Sequence, residues 1–327
     1  MKAMSKIVLA VLIGGLVAFG VGCGQEGLPA GKSPEDVIKE ALLNQQDITK
    51  SVYEININAD IKGDVDGEKN ELKGWAKVSG TSNADEMENQ FVLSIDGKMN
   101  TEAVKADLEA RGNKDGLFIK IGKLELSDKD SQAMIDMFIG DYKGKWTLLS
   151  FATANDADVT GYATIDYSEG DPIFLKDIEY KGTKDVLGLK SYVFAGKVDP
   201  EALAETMDAS QVEEMEMFFE KGEVTGEIYT AVNEKVWTGM SLNLKMSDKE
   251  MNGTASLSFL LNPTKSNKVE TPKHEKEITE EDMVGLFGGG MAPTEYDMDY
   301  DYDYDADLEM MDYDFESMED FENLPVE

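Results

Sequence analysis

Few side chains in this sequence are equipped for chemistry. There is one cysteine, Cys23, and one histidine, His274. His274 stands in the polar stretch NPTKSNKVETPKHEKE, so a Ser-His-Asp triad or a histidine-based metal centre has almost nothing to draw on, and a linker histidine is the plainer reading. With 66 Asp and Glu, carboxylate pairs are everywhere and none stands out as an acid–base dyad. Gly22, Gly24 and Gly27 have the spacing of a dinucleotide-binding loop but lack a preceding strand. Gly31-Lys32-Ser33 precedes a helix as a phosphate loop would, yet Glu26 stands where the first glycine should be. The oxygen-rich loops Asp64 to Gly67 and Asn155 to Asp158 do not follow the twelve-residue calcium pattern and read as acidic turns. No cofactor, metal or enzymatic activity is expected.

Cys23 is better placed for acylation than for catalysis. Lys2 and Lys6 precede a fifteen-residue apolar run, Ile7 to Val21, too short for a comfortable membrane span and suited to a secretory signal. Gly22 and Cys23 follow at once. They resemble a bacterial lipoprotein cleavage box, with Gly20 where such boxes usually carry Leu. On that reading residues 1–22 are removed, Cys23 carries the lipid, and 23–32 tether the body to a membrane. The plainer alternative is an ordinary signal cut nearby, with an incidental cysteine. Either way the protein is exported, and the anchor would hold it on the outer face of the cytoplasmic membrane or in the periplasm or cell envelope.

The formal charge of −35 argues against nucleic acid as a partner, because a phosphate backbone needs a basic footprint. Much of that charge is local. From Met291 to Glu327 there are fifteen acids and no Lys or Arg, which predicts a disordered polyanionic tail whose natural partners are a basic protein or divalent cations. Residues 263–290 are expected to form a polar linker with a short helix over Thr279 to Phe287. On composition alone, truncation after Asn262 should leave the melting temperature nearly unchanged.

Residues 33–262 carry the pattern of a folded domain. Tyr53, Ile55, Ile57, Ala59 and Ile61 alternate with polar residues, the period of a strand with one apolar face. The alternation returns at Leu72 to Ser79, around Phe91 to Ile95, at Val104 to Ala110, Leu117 to Ile121 and Trp146 to Leu149. Later candidates are Gly161 to Tyr167, Ile173 to Tyr180, Val224 to Ala231, Val236 to Met246 and Ala255 to Leu261. Three helical regions interrupt them. Ser33 caps the first, with Pro34 at its first position and Val37, Ile38, Ala41 and Leu42 on one face. Ser127 with Asp130 opens the second, carrying Met134, Met137 and Phe138. Pro200 and then Asp208 open the third, carrying Val212, Met215, Phe218 and Phe219. The predicted fold is α+β, a large curved antiparallel sheet covered on one face by amphipathic helices.

The lipid-anchored cysteine, the capped helix running into long strands, Gly144-Lys145-Trp146 after the central helix and the late hairpin from Thr225 to Met246 resemble the LolA-like and LppX/LprG-like lipoproteins. The resemblance covers about residues 33–262. It implies a half-barrel wrapped around helices, with space for acyl chains between them, and carries no catalytic residue. Ile55, Ile57, Met134, Met137, Phe138, Met215 and Phe219 are then the candidates for lining that space, the methionines because thioethers adapt to irregular ligands. Core filling is the ordinary alternative for each. Two functions fit: a carrier that binds a lipid or other hydrophobic ligand, or a structural surface lipoprotein with a filled core that displays its acidic tail. The anchor is testable directly. Cys23→Ser should leave the protein soluble or unprocessed, since one acyl chain is marginal and two or three give stable attachment; membrane fractionation with mass spectrometry of the mature N-terminus reads the outcome.

Overall fold

A computed structural model describes residues 27–65, 68–150, 152, 172–204, 219, 222–248 and 251–279. Cys23, the candidate strand at 161–167, most of the helix expected from Asp208 and everything beyond Thr279 lie outside the described residues.

Twelve strands form one sheet: β1 Lys50–Val65, β2 Glu68–Asn83, β3 Glu88–Met99, β4 Glu102–Asn113, β5 Gly116–Leu126, β6 Trp146–Leu149, β7 Leu175–Val186, β8 Leu189–Val198, β9 Gly222–Ala231, β10 Trp237–Ser247, β11 Met251–Asn262 and β12 Lys276–Ile278. The order is β12-β6-β5-β4-β3-β2-β1-β11-β10-β9-β8-β7, so two antiparallel meanders join where β1 pairs with β11. β12 pairs with β6 in parallel, which corrects the expectation of a wholly antiparallel sheet. Tight turns set the registers. Val65 pairs with Glu68, Met99 with Glu102, Asn113 with Gly116 and Val186 with Leu189, each leaving a two-residue connection. In the last of these Leu187 and Gly188 both take positive φ, and Asp185 Oδ1 accepts from the Gly188 amide at 2.9 Å.

The apolar alternation selects an inner face, and β-bulges repair it where the sequence skips a step. On β5, Leu117, Ile119 and Ile121 are odd-numbered while Leu124 and Leu126 are even. The register against β4 jumps from Lys123 to Ile121, passing Gly122, so both sets face inward. On β10 the same shift between Trp237 and Gly239 lets Trp237 share a face with Leu242 and Leu244. Trp237 is fully buried and stacks on Phe259 with ring centres 5.3 Å apart.

Helix α1, Pro34–Leu43, supplies the cover for one half of this face. Its capping box forms as expected: Ser33 Oγ accepts from the Asp36 amide at 3.2 Å, and the Asp36 carboxylate accepts from the Ser33 amide at 2.9 Å. Those bonds hold the Asp36 carboxyl below the usual carboxylate range. Val37, Ile38, Ala41 and Leu42 are buried, and the helix packs against β7, β9 and β10. The sheet curls around it until β7 touches β11, with three strands between them in the hydrogen-bonding order. Gly226 lies under this curl: a Cβ there would fall 2.7 Å from the tip of the Leu175 side chain of β7, which would have to move aside.

Residues 263–279, expected as a free linker, lie against the body as a strap. The Asn267 amide donates to Thr81 Oγ1 at 2.9 Å and the Val269 amide to Glu88 Oε2 at 3.1 Å. Thr271 donates to Asp115 at 2.6 Å and accepts from Asn113 at 2.9 Å. The His274 ring meets Phe118 at 5.7 Å. Lys276–Ile278 then extends the sheet, displacing into a strand the chain just before the predicted short helix. Composition misleads here because the docking depends on a few apolar side chains, Val269 and Ile278, at 3% and 7% exposure. Truncation after Asn262 therefore should destabilise. Losing those two buried side chains costs about 1.5–3 kcal/mol each, or a fall of about 10 °C in a melt followed by circular dichroism. An unchanged melting temperature would show the strap to be a passenger.

Candidate functional site

The other half of the inner face, beneath β1 to β5, is open among the described residues. A groove of about 490 Å³ runs across these strands. Its floor is a single register row: Ala59 pairs with Gly74, Gly74 with Gly97, Gly97 with Val104 and Val104 with Leu126. Three of those five side chains are a methyl group or less, while the flanking rows carry Leu72 with Met99 on one side and Ala76 with Ile95 on the other. The groove is thus a trough one row wide, made by placing small residues at consecutive positions across three strands. Its lining surface is mostly apolar, which suits a hydrocarbon, with Lys98, Glu102, Asp128 and Ser131 among the polar residues that border it.

Helix α2, Lys129–Ile139, closes the β5 end. Asp128, not Ser127, is its N-cap: the Asp128 carboxylate accepts from the Ser131 amide at 2.7 Å, while Ser127 Oγ accepts from the Ala103 amide at 2.7 Å. Hydrogen bonds from Ser131 hold the Asp128 carboxyl below its usual range, so this rim is negative at neutral pH. Gln132 fastens the helix to the strand. Its Oε1 accepts from the Leu126 amide at 2.6 Å and its Nε2 donates to Leu124 O at 3.3 Å. Lys143 adds a bond to the same carbonyl at 3.3 Å and an ion pair with Asp136.

That fastening decides where the predicted ligand residues go. With Gln132 toward β5, Met134, Met137 and Phe138 point away and are 56%, 73% and 39% exposed. The expectation that this stripe lies against the sheet is corrected: α2 meets the groove through Asp128 and Ser131, at its first turn. Ile55 and Ile57 do lie on the inner face and are half-buried. Ile55 packs against the main core cluster, and Ile57 stands between Ala76 and Leu257, one row from the groove floor. Phe219 packs against the core beside α1, and Met215 lies outside the described residues. Sequence reading missed Gly74, Gly97, Leu72, Met99 and Val104. The signal for them existed in the alternation itself, which places two glycines where large apolar residues otherwise recur.

A larger hollow of about 650 Å³ lies on the outer face, lined by Asn58, Asp60, Glu223, Asn243, Lys245 and Thr254 among others. These side chains are the wet face of β1, β9, β10 and β11, and the chemistry of the inner groove makes it the better candidate site. Among the described residues no group of three or more His, Cys, Asp or Glu could hold a metal ion. Gln132→Ala tests the anchoring of α2. It should speed hydrogen exchange at the Leu126 amide and cost about 1–2 kcal/mol in denaturant unfolding.

No protein-family model matches the chain, and no curated protein matches it either. Among the described residues no helix is long and apolar enough to cross a membrane. Among solved structures the chain is similar to lipoprotein LppX of Mycobacterium tuberculosis, at 12% identity and a TM-score of 0.31, over 72% of this chain and 96% of that one. It is similar also to LprF from Mycobacterium bovis, at 11% identity and a TM-score of 0.34, over 74% of this chain and 97% of that one.

Proposed function

We propose that this chain is an exported lipoprotein, anchored through Cys23, that holds a lipid or other hydrophobic molecule in the groove beneath β1 to β5. One observation carries the proposal: α1 fills the inner face on one side, while the same face on the other side keeps an apolar trough of about 490 Å³. Water in such a trough finds no partners, and a hydrocarbon placed there contributes about 0.8 kcal/mol for each methylene it removes from water. The apolar N-terminal run and Cys23 support delivery of that binding site to a membrane surface. The acidic tail stands apart from this function and suits a basic protein or divalent cations, with binding that weakens steeply in salt.

The display function draws support from the filled half of the core around α1. Native mass spectrometry of the Cys23→Ser chain, exported and purified without detergent, separates the two. The carrier should arrive with a co-purifying lipid that detergent displaces and that fluorescent fatty acids replace. A homogeneous empty protein with no affinity for such probes would leave display ahead.

A further inference from the structure

The two glycines of the groove floor are bare for different reasons, and the difference speaks to the shape of the ligand. A Cβ built on Gly74 would fall 2.4 Å from Gly97 Cα and 2.7 Å from Asp96 O, both backbone atoms, so Gly74 is required for β2 and β3 to close on each other. A Cβ built on Gly97 would meet nothing nearer than Lys73 O at 3.9 Å, with Gly74 Cα and Val104 Cγ1 at 4.0 Å. That is ordinary van der Waals contact, and Gly97 does not adopt a left-handed backbone. Packing and backbone conformation both leave room for a side chain at position 97. What its absence keeps is the depth of the trough.

The dimensions of that trough are those of one chain. From β1 to β5 the floor crosses four inter-strand steps of about 4.8 Å, a span of about 19 Å. At the density of a protein interior a methylene occupies about 25 Å³, so the groove of about 490 Å³ takes roughly twenty of them. Its width, one register row between Leu72 and Met99 on one side and Ala76 and Ile95 on the other, leaves no place for a second chain alongside.

We infer that the groove accepts a single straight acyl chain of about sixteen to twenty carbons, laid across the strands, and that Gly97, at the middle of the floor, keeps the trough deep enough for the chain to pass from β1 to β5. This rests on the carrier function and names its ligand class. A free fatty acid and a lysophospholipid share that chemistry. A two-chain phospholipid does not fit without leaving one chain in water.

Competition against cis-parinaric acid on the full chain carrying Cys23→Ser tests the inference. The competitors are saturated fatty acids and lysophosphatidylcholines of ten to twenty-four carbons, with dipalmitoyl phosphatidylcholine as the two-chain arm. The unsubstituted groove should show a length optimum near sixteen to twenty carbons and bind the two-chain lipid at least about tenfold more weakly. Gly97→Leu should raise the floor at the middle of the trough and weaken every chain long enough to cross β3, shifting eighteen-carbon affinity by about tenfold at an unchanged melting temperature. Gly97→Ala should give a smaller shift in the same direction. Should Gly97→Leu misfold, Gly97→Ala and Val104→Phe carry the same test from two neighbouring positions of the floor. A preference for the free acids or for the lysolipids identifies the source of the chain, and either one with a length optimum supports the inference. Equal binding of the two-chain lipid, or a length profile that none of these variants alters, overturns the inference and leaves the carrier standing. Failure of every aliphatic probe to bind the unsubstituted groove overturns both.

Discussion

One constraint governs the described residues: a twelve-stranded sheet with a continuous apolar face needs more cover than the helices among them provide. Period-two alternation commits every inward side chain of every strand to the same side. Among the described residues a single ten-residue helix, α1, packs into that side, and ten residues of helix are about 15 Å long. The sheet meets the shortage by curling its β7 to β11 half around α1 until β7 reaches β11. Among the described residues the other half has no such helix beneath it, and the open apolar face that results is the groove.

Curvature and emptiness both come from small residues, in different ways. At Gly74 the missing Cβ lets β2 and β3 approach more closely than any side chain would allow, so this position shapes the sheet. Bulges at Gly122 and beside Gly239 shift parity, keeping the inner face apolar along strands whose sequence alternation breaks step. Gly97 contributes nothing to curvature or packing. It contributes space, and a carrier needs space as much as a core needs side chains.

The outer face and the far edge show how an acidic chain keeps itself together. Cross-strand pairs such as Lys77 with Glu54, Lys105 with Asp96 and Lys62 with Glu71 tile the wet side, each partly exposed and individually weak. Buried within the same face, the Tyr229 hydroxyl donates to Glu227 at 2.6 Å beside Ser241 at 2.9 Å, and burial pushes its phenol far up. Lys184 lies over its ring at 3.5 Å. The strap then adds a β-strand to β6, covering one edge of the sheet with part of the same chain.

Ten of the twelve strands, their inward faces and the α1 capping box were legible in the sequence because each depends on local spacing, two residues for a strand and three for the cap; β8, largely buried on both faces, and β12 were not. Ile55 and Ile57 came out on the inner face for that reason. What spacing could not show was which neighbour each element meets. Met134, Met137 and Phe138 form a helical stripe, yet Gln132 on the opposite side bonds the β5 backbone and turns that stripe to solvent. The strap reads as linker because its composition is polar and rich in Lys, while two apolar side chains and a handful of hydrogen bonds decide its position. Gly74 and Gly97 are twenty-three residues apart in the chain and become one floor only when β2 and β3 pair. The sequence by itself determined an apolar face and its period; pairing register, a property of contacts between distant segments, decided which half of that face is filled and which is left open.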